Sequence, residues 1–190
     1  MKSATKWLIG VLGIFVILII VAISSYNSLV TLELNVDTSK SNIDTQLQRR
    51  SDLIPNLVNT VKGYATMEEE IFTDLANARA KLAGATNVTD EANANAELEG
   101  ALSRLLLIVE NYPDLKSSQN FRDLSTQLEG TENRIAIARQ DYNTAVSAYN
   151  SKQRRFPNNI IASLFAFEQK ALFEASPGAE QVPTVDFNAS

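Results

Sequence analysis

Apolar side chains recur along residues 29–82 at intervals of three, four and seven, which keep them on one face of a helix. Two charged residues, Arg50 and Glu68, fall on the same face. A stripe of this kind is buried only against other helices, so the pattern predicts a helical bundle with charge in its seam. The apolar members are Leu29, Val36, Ile43, Leu47, Ile54, Leu57, Val61, Tyr64, Ile71, Leu75, Ala78 and Leu82.

Two sites within this stripe are able to interrupt a helix. Pro55 lacks a backbone donor and clashes with the preceding turn. Gly63, followed by the sequence TMEE at residues 66–69, is typical of a C-terminal glycine and a new capping box. Because the apolar phase continues past both sites, we favour one helix from about residue 29 to 83, kinked near Pro55, over a turn at Gly63.

Two more seams follow. One runs through Leu98, Leu102, Leu105, Val109 and Tyr112, and the other through Phe121, Leu124, Leu128, Thr131, Ile135, Ala138, Tyr142, Ala145 and Tyr149. The pattern therefore predicts an all-α fold, a long antiparallel bundle of three to four helices on a single N-terminal transmembrane helix.

The predicted transmembrane stretch, residues 7–23, reads WLIGVLGIFVILIIVAI and is uncharged. As a helix it is about 25 Å long, at the short end for a membrane span. Trp7 and Tyr26 stand at its two edges, where aromatic residues favour the membrane interface. The alternative is a signal peptide cleaved near Ala22-Ile23-Ser24. We favour a retained anchor, because the stretch runs into the first seam without a linker.

The domain organisation follows from this anchor. We expect a cytoplasmic N-terminal tail at residues 1–6, a transmembrane helix at 7–26, a helical domain at 27–175 and a mobile tail at 176–190. Lys2 and Lys6 precede the anchor, and Lys40 is the next basic residue after it. The positive-inside rule therefore places the N-terminus in the cytoplasm and the bundle outside it.

The composition excludes several kinds of chemistry. The chain has no cysteine and no histidine, so thiolate zinc sites, Cys/His pairs and Ser-His-Asp triads are ruled out. The part that follows the anchor carries 15 basic and 22 acidic residues, a net charge that is unsuited to binding nucleic acid or an anionic membrane surface. We therefore expect no enzyme activity, no cofactor and no metal. Acidic clusters such as Glu68-Glu69-Glu70 are expected to be solvated faces or helix starts.

Two groups of residues remain as candidate sites. The first is a charged set that surrounds the buried position Arg50, which needs a partner such as Glu129 or Glu132; it is either an ion-pair layer that fixes helix register or a docking surface. The second is an apolar end segment that either docks on the bundle or contacts another subunit. The charged set is Arg49, Arg50, Asp52, Glu129, Glu132, Arg134 and Arg139, and the end segment contains Phe156, Ile160, Ile161, Leu164, Phe165 and Phe167.

Several spaced motifs stand out along the chain. They are RRSDLIPNLV at residues 49–58 with VKGYA at 61–65, GALSRLL at 100–106 with NYPDLK at 111–116, LEGTENRIA at 128–136, and FPNNIIA at 156–162. Together these motifs resemble the LemA family of bacterial membrane proteins. The chain departs from the family pattern at Ala166, where glycine is expected, and at Leu172-Phe173, where Tyr-Phe is expected.

That resemblance implies a non-enzymatic role, because the family has no agreed biochemical activity. Together with the long helices and the anchor, it favours a membrane-bound scaffold or adaptor for other envelope proteins that also self-associates. One alternative is a factor of membrane remodelling or of bacterial magnetic organelles. Another is a sensor that binds a small ligand between helices, which a buried polar pocket around Arg50, Arg134 and Tyr142 would favour.

Overall fold

A computed structural model of the chain describes residues 2–63 and 69–173. All regular secondary structure in these residues is helical, which confirms the predicted all-α class. The helices in chain order are α1 (Lys2–Lys62), α2 (Glu69–Ala83), α3 (Val88–Val109), α4 (Pro113–Ser117), α5 (Gln119–Arg154) and α6 (Asn158–Leu164).

The prediction of one helix through residue 83 is wrong, because α1 ends at Lys62 and a separate helix follows. The guanidinium Nε of Arg79 on α2 donates to the hydroxyl of Ser51 on α1 at 2.8 Å. In one continuous helix these residues would be about 42 Å apart. Lys62 Nζ also lies 4.9 Å from the centre of the Phe72 ring, so α2 runs antiparallel to the end of α1.

The turn itself begins at Gly63, the alternative position named above, while Pro55 lies inside α1. Tyr64 and the capping-box residues 66–68 lie outside the described residues. The phase of the stripe misled the prediction because both arms of a helical hairpin present an apolar face to the same core. A shared phase therefore reports shared burial and does not report a continuous helix.

The chain divides into two compact units, and both α1 and α5 contribute residues to each. The first unit comprises residues 1–45 and 136–172, and the second comprises residues 46–135 and 173–190. The second unit contains one apolar core formed by α1 to α5. Its buried members are Ile54, Leu57, Val61, Leu75, Ala78, Leu98, Ala101, Leu102, Leu105, Val109, Leu115, Phe121 and Leu128.

The first unit has a thinner core, in which one face of α1 packs with α5 and with residues 161–170. Leu29, Ile161 and Ala162 form a buried cluster, with Ala22 and Phe167 packed against it. The other large buried residues of this unit are Val36, Ile43, Tyr142, Val146 and Tyr149. The predicted seam is therefore buried here too, except that Val146 takes the place in the core that the sequence pattern suggested for Ala145, which is half-buried.

The predicted membrane stretch forms part of α1. It is the one helix among the described residues that is long and apolar enough to cross a membrane. Its apolar side chains from Trp7 to Ile23 are exposed along nearly their whole length, as expected of a helix whose surroundings are lipid.

Candidate functional site

The buried charge in the second unit is Arg50, whose side chain has no solvent exposure. Its Nη1 donates to Oε1 of Glu132 at 2.8 Å, and its Nη2 donates to Oδ1 of Asn95. One guanidinium group therefore connects α1, α3 and α5. We call Arg50, Asn95 and Glu132 the polar layer.

The polar layer places a cation where an unpaired charge would be strongly destabilising. Glu132 supplies the opposite charge and is itself one-third exposed, so its own desolvation is only partial. Asn95 is buried and supplies a second acceptor. Nε of Arg50 has no hydrogen-bond partner among the described residues. The guanidinium is thus held by two directed contacts, which constrain how the three helices align.

The other members of the predicted charged set do not join this layer. Arg49, Glu129 and Arg134 are exposed. Asp52 is exposed and accepts a hydrogen bond from Gln48 Nε2 at 2.8 Å, one turn earlier on α1. Arg139 is half-buried and belongs to the first unit.

An open groove of about 160 Å³ lies at the surface between α3 and α5 and is lined in part by Glu99, Glu129 and Glu132. Arg134, which the sensor interpretation required in a buried pocket, is exposed. The hydroxyl of Tyr142 donates to the carbonyl of Ala171 at 3.0 Å. Within the described part of the chain, no group of three acidic residues is arranged to hold a metal ion.

The apolar end segment, residues 156–167, packs on α1 directly after the membrane stretch. The rings of Phe165 and Phe167 lie 4.8 and 5.7 Å from the ring of Tyr26, centre to centre. Ile161 is buried against Leu29. Aromatic pairs at these distances stabilise beyond the burial of their area, so this part of the end segment is fixed to the helix.

Other side chains of the end segment are exposed and apolar. Phe156 is 80% exposed, Leu164 is 72% exposed and Ile160 is more than half exposed, as is Phe165 despite its contact with Tyr26. Exposing apolar side chains of this size to water is unfavourable in free energy. Neighbouring exposed side chains of this kind are typical of surfaces that contact a membrane or another protein.

Three polar side chains of α5 bind the backbone of the non-helical residues 167–171. Asn150 Nδ2 donates to the carbonyl of Lys170 at 2.9 Å, and the Lys170 amide donates back to Asn150 Oδ1 at 3.0 Å. Gln153 Nε2 donates to the carbonyl of Phe167, and Tyr142 binds Ala171 as described above. These bonds replace the helical partners that residues 167–171 lack, and the sequence reasoning did not identify them.

A signal for two of the missed residues was present in the sequence. Extending the α3 seam backwards from Leu102 and Leu98 by a further three residues reaches Asn95. Extending the α5 seam forwards from Tyr149 by four reaches Gln153. A polar residue in register with an apolar seam is a buried polar residue, and it requires a partner.

The position that departs from the family pattern has an unusual backbone. Ala166 has φ of 54°, in the left-handed region that favours glycine. It lies directly after α6, in the turn that leads to Phe167, whose amide donates to the carbonyl of Ala162 at 2.9 Å. The alanine therefore adopts a conformation that glycine adopts without strain.

Lys170 and Tyr149 have altered ionisation in the first unit. The carboxylate of Glu33, 2.7 Å from Lys170 Nζ, raises the pKa of that amine through a hydrogen bond and charge attraction. Burial raises the pKa of the Tyr149 phenol, and the negative charge of Glu33 adds to the effect. The pair thus favours a protonated amine and a neutral phenol beside α1.

These features define a class of protein: an all-α chain with one helix that is long and apolar enough to cross a membrane. The sequence profile of the LemA family matches residues 39–187, and the chain belongs to that family. The resemblance noted in the sequence is therefore confirmed.

Individual proteins that the chain resembles share between 25% and 28% of aligned residues with it. The chain is 28% identical to magnetosome protein MamQ 2 of Paramagnetospirillum magneticum over 181 residues, which cover 82% of this chain and 66% of that protein. It is 27% identical to magnetosome protein MamQ of Magnetospirillum gryphiswaldense over the same shares of the two chains. Protein LemA of Metamycoplasma hominis is 25% identical over 165 residues, which cover 86% of this chain and 74% of the relative. The chain thus spans just under two thirds of the MamQ proteins.

Proposed function

We propose that this protein is a membrane-anchored helical scaffold, without enzyme activity, that self-associates and presents helix surface to other envelope proteins. The observation that carries the proposal is apolar surface on helices outside any core. Leu34, Leu107 and Ile137 are each more than half exposed on α1, α3 and α5. An apolar side chain exposed on a helix is free to be buried against a partner helix, so these three positions are where the proposal expects contact.

The polar layer serves this scaffold as an internal alignment device. Arg50 reaches its acceptors on α3 and α5 in only one helix register, because its planar guanidinium has fixed donor directions. A purely apolar seam would permit neighbouring registers at a similar free energy. Of the two interpretations of the charged set, burial of Arg50 supports the register-fixing one over a docking surface.

Residues 7–23 anchor the protein in a bacterial cell membrane in this proposal, with the N-terminus in the cytoplasm and the bundle outside it. The apolar exposed face of α1 and membership of the LemA family support the anchor. The orientation depends on Lys2 and Lys6 alone.

A second candidate function is a part in organising an internal membrane or organelle. The similarity to proteins named for the magnetosome supports it. Both candidates require an anchored helical surface, and they differ in the partner. The sensor interpretation has weaker support, since its buried polar pocket would need Arg134, which is exposed.

The test is the mass of the intact protein in mild detergent over a range of concentrations. A defined oligomer is expected, and joint replacement of Leu34, Leu107 and Ile137 by serine is expected to dissociate it. The control replaces the exposed polar residues Ser103 and Gln140 by alanine and should leave the mass unchanged. A monomer at every concentration would remove self-association from the proposal.

The scaffold role is tested by photo-crosslinking in cells from probes placed at Leu107 and Ile137. Adducts with defined envelope proteins are expected at both positions and are not expected at Ser103. If neither position gives an adduct with any protein, the scaffold proposal fails.

A further inference from the structure

The exposed side of the end segment lies at the depth of the membrane stretch. Phe156 and Pro157 line one groove together with Ile20 and Val21 of α1. Val21 lies within the apolar stretch, two residues before its end at Ile23. At 1.5 Å per residue, Phe156 is therefore level with a point roughly 3–5 Å inside the apolar part of α1.

The end segment runs outward along α1 and then turns back. From Phe156 beside Ile20 and Val21 the chain passes to Ile161, against Leu29, about 9 Å beyond Ile23, and then to Phe165, against Tyr26, about 4.5 Å beyond it. Tyr26 itself stands where an interfacial aromatic residue is expected. The exposed side chains of Phe156, Ile160, Leu164 and Phe165 lie within this span, which reaches from the edge of the apolar stretch to the level expected for lipid headgroups.

Basic side chains accompany this apolar surface. Lys152 and Arg155 line the same groove as Ile20 and Val21, and Arg154 is exposed next to them. Long basic side chains place their stems along apolar surface and their charge among lipid headgroups. Apolar side chains next to basic side chains match the surface of an anionic bilayer, where acyl chains meet charged headgroups.

We propose that the end segment is a second membrane contact, with Phe156, Ile160, Leu164 and Phe165 inserted at the bilayer interface and Lys152 and Arg155 at anionic phospholipid headgroups. The inference rests on the proposed anchoring by residues 7–23. It favours lipid over a second copy of the chain because the surface continues directly from the membrane stretch and carries basic residues at its edge.

The test uses full-length protein in nanodiscs of phosphatidylcholine and phosphatidylglycerol. Because the chain has no cysteine, Phe156→Cys, Leu164→Cys, Gln140→Cys and Val16→Cys can each carry a single nitroxide label. Gln140 is the control, being an exposed residue on α5 about 18 Å along that helix from Lys152 and outside the proposed contact positions. The readout is accessibility to oxygen, which concentrates in lipid, relative to a water-soluble nickel chelate.

We expect labels at 156, 164 and 16 to be accessible to oxygen and shielded from the nickel chelate, and the label at 140 to show the reverse. If 156 and 164 behave like 140 while 16 is in lipid, the end segment is off the membrane and only the anchor stands. If 16 is also aqueous, the proposed anchoring itself fails. Shielding of 156 and 164 from both reagents would indicate a protein contact and overturn the lipid assignment.

The charge component has its own test in the Leu164→Cys protein. Adding phosphatidylglycerol to pure phosphatidylcholine nanodiscs is expected to shift the label deeper, and Lys152→Gln with Arg155→Gln should abolish that shift. A shift that persists in this variant, or no shift in the unmodified chain, would remove the headgroup contact from the proposal.

Discussion

The two units of this chain treat polar and apolar side chains in opposite ways. In the second unit a charged residue, Arg50, is fully buried and an apolar core surrounds it. In the first unit two large apolar side chains of the end segment, Phe156 and Leu164, are exposed. The second unit thus buries a charge among apolar residues, and the first unit exposes apolar residues at its end segment.

This difference separates structural residues from candidate contact residues. A buried charge is tolerated only with partners in place, so the polar layer reports the demands of the fold. The exposed aromatic and aliphatic residues of the end segment contribute little to the stability of the isolated fold. We therefore propose that they contact the membrane. Charge in a seam and apolarity on a surface therefore have different explanations within one chain.

The largest expected effect concerns the buried charge. Arg50→Ala should lower the free energy of unfolding by about 4 kcal/mol, because it leaves a cavity and removes the partner of Glu132. Arg49→Ala, a change of the same chemistry at the exposed neighbouring position, should cost less than about 0.5 kcal/mol. Urea unfolding in mild detergent, followed by circular dichroism, measures both. Equal effects at the two positions would contradict the assignment of Arg50 to the core.

A smaller loss is expected from the clamp in the first unit. Asn150→Ala removes both hydrogen bonds to the backbone of Lys170 and should cost about 2 kcal/mol, since two partly buried backbone groups lose partners. Gln140→Ala, at an exposed position earlier on α5, is the control. Amide exchange at Lys170 should accelerate in Asn150→Ala only. Unchanged protection there would show that the clamp does not hold this stretch.

One substitution should stabilise the first unit. Ala166→Gly relieves a left-handed alanine and should raise the free energy of unfolding by up to about 1 kcal/mol, after the greater freedom of glycine in the unfolded chain is subtracted. Ala148→Gly, within α5, should instead lower it by about 1 kcal/mol. Thermal unfolding distinguishes the two signs, and destabilisation by both would rule out strain at residue 166.

The smallest effect at neutral pH is expected at Tyr149. Its hydroxyl is buried with no hydrogen-bond partner among the described residues, so Tyr149→Phe should change stability by less than about 0.5 kcal/mol. A loss well above this value would mean that the hydroxyl is hydrogen-bonded in solution.

The pH dependence of stability gives a second test of Tyr149 and its neighbour Lys170. The pKa values of Tyr149 and Lys170 are both raised in the folded chain, from ordinary values of 10.0 and 10.5. Their contribution is present below about pH 10 and is lost as the pH rises through the raised values, because the folded state then holds more protons than the unfolded state. Stability should therefore fall in alkaline solution, and less steeply in Tyr149→Phe. A loss of equal slope in both proteins would contradict this.

Periodicity in the sequence predicts the helical class and most of the core residues, because burial of an apolar stripe depends on spacing alone. The same pattern predicts that Arg50 is buried, and Glu132 is one of the two partners it suggests. The turn after Lys62 is not the favoured prediction, because the phase of a seam does not record how its helices are connected. Asn95 and Gln153 lie outside the predicted core because the predicted seams stop at their last apolar residues.

Tertiary placement explains the remaining gaps. Nothing local in residues 167–171 indicates that α5 side chains hold their backbone, because those contacts join positions up to 29 residues apart. The left-handed backbone at Ala166 could not be derived from an alanine, whose usual conformation is right-handed. The family pattern, which expects glycine there, was the only signal.

The central claim is that Arg50 and Glu132 belong to the fold and that the contact surface is apolar. A double-mutant cycle of Arg50→Met and Glu132→Gln, with Glu129→Gln replacing Glu132→Gln in the control cycle, tests it most directly. We predict a coupling energy of about 2 kcal/mol between Arg50 and Glu132 and none between Arg50 and Glu129. No coupling in the first cycle, or equal coupling in both, would contradict the account.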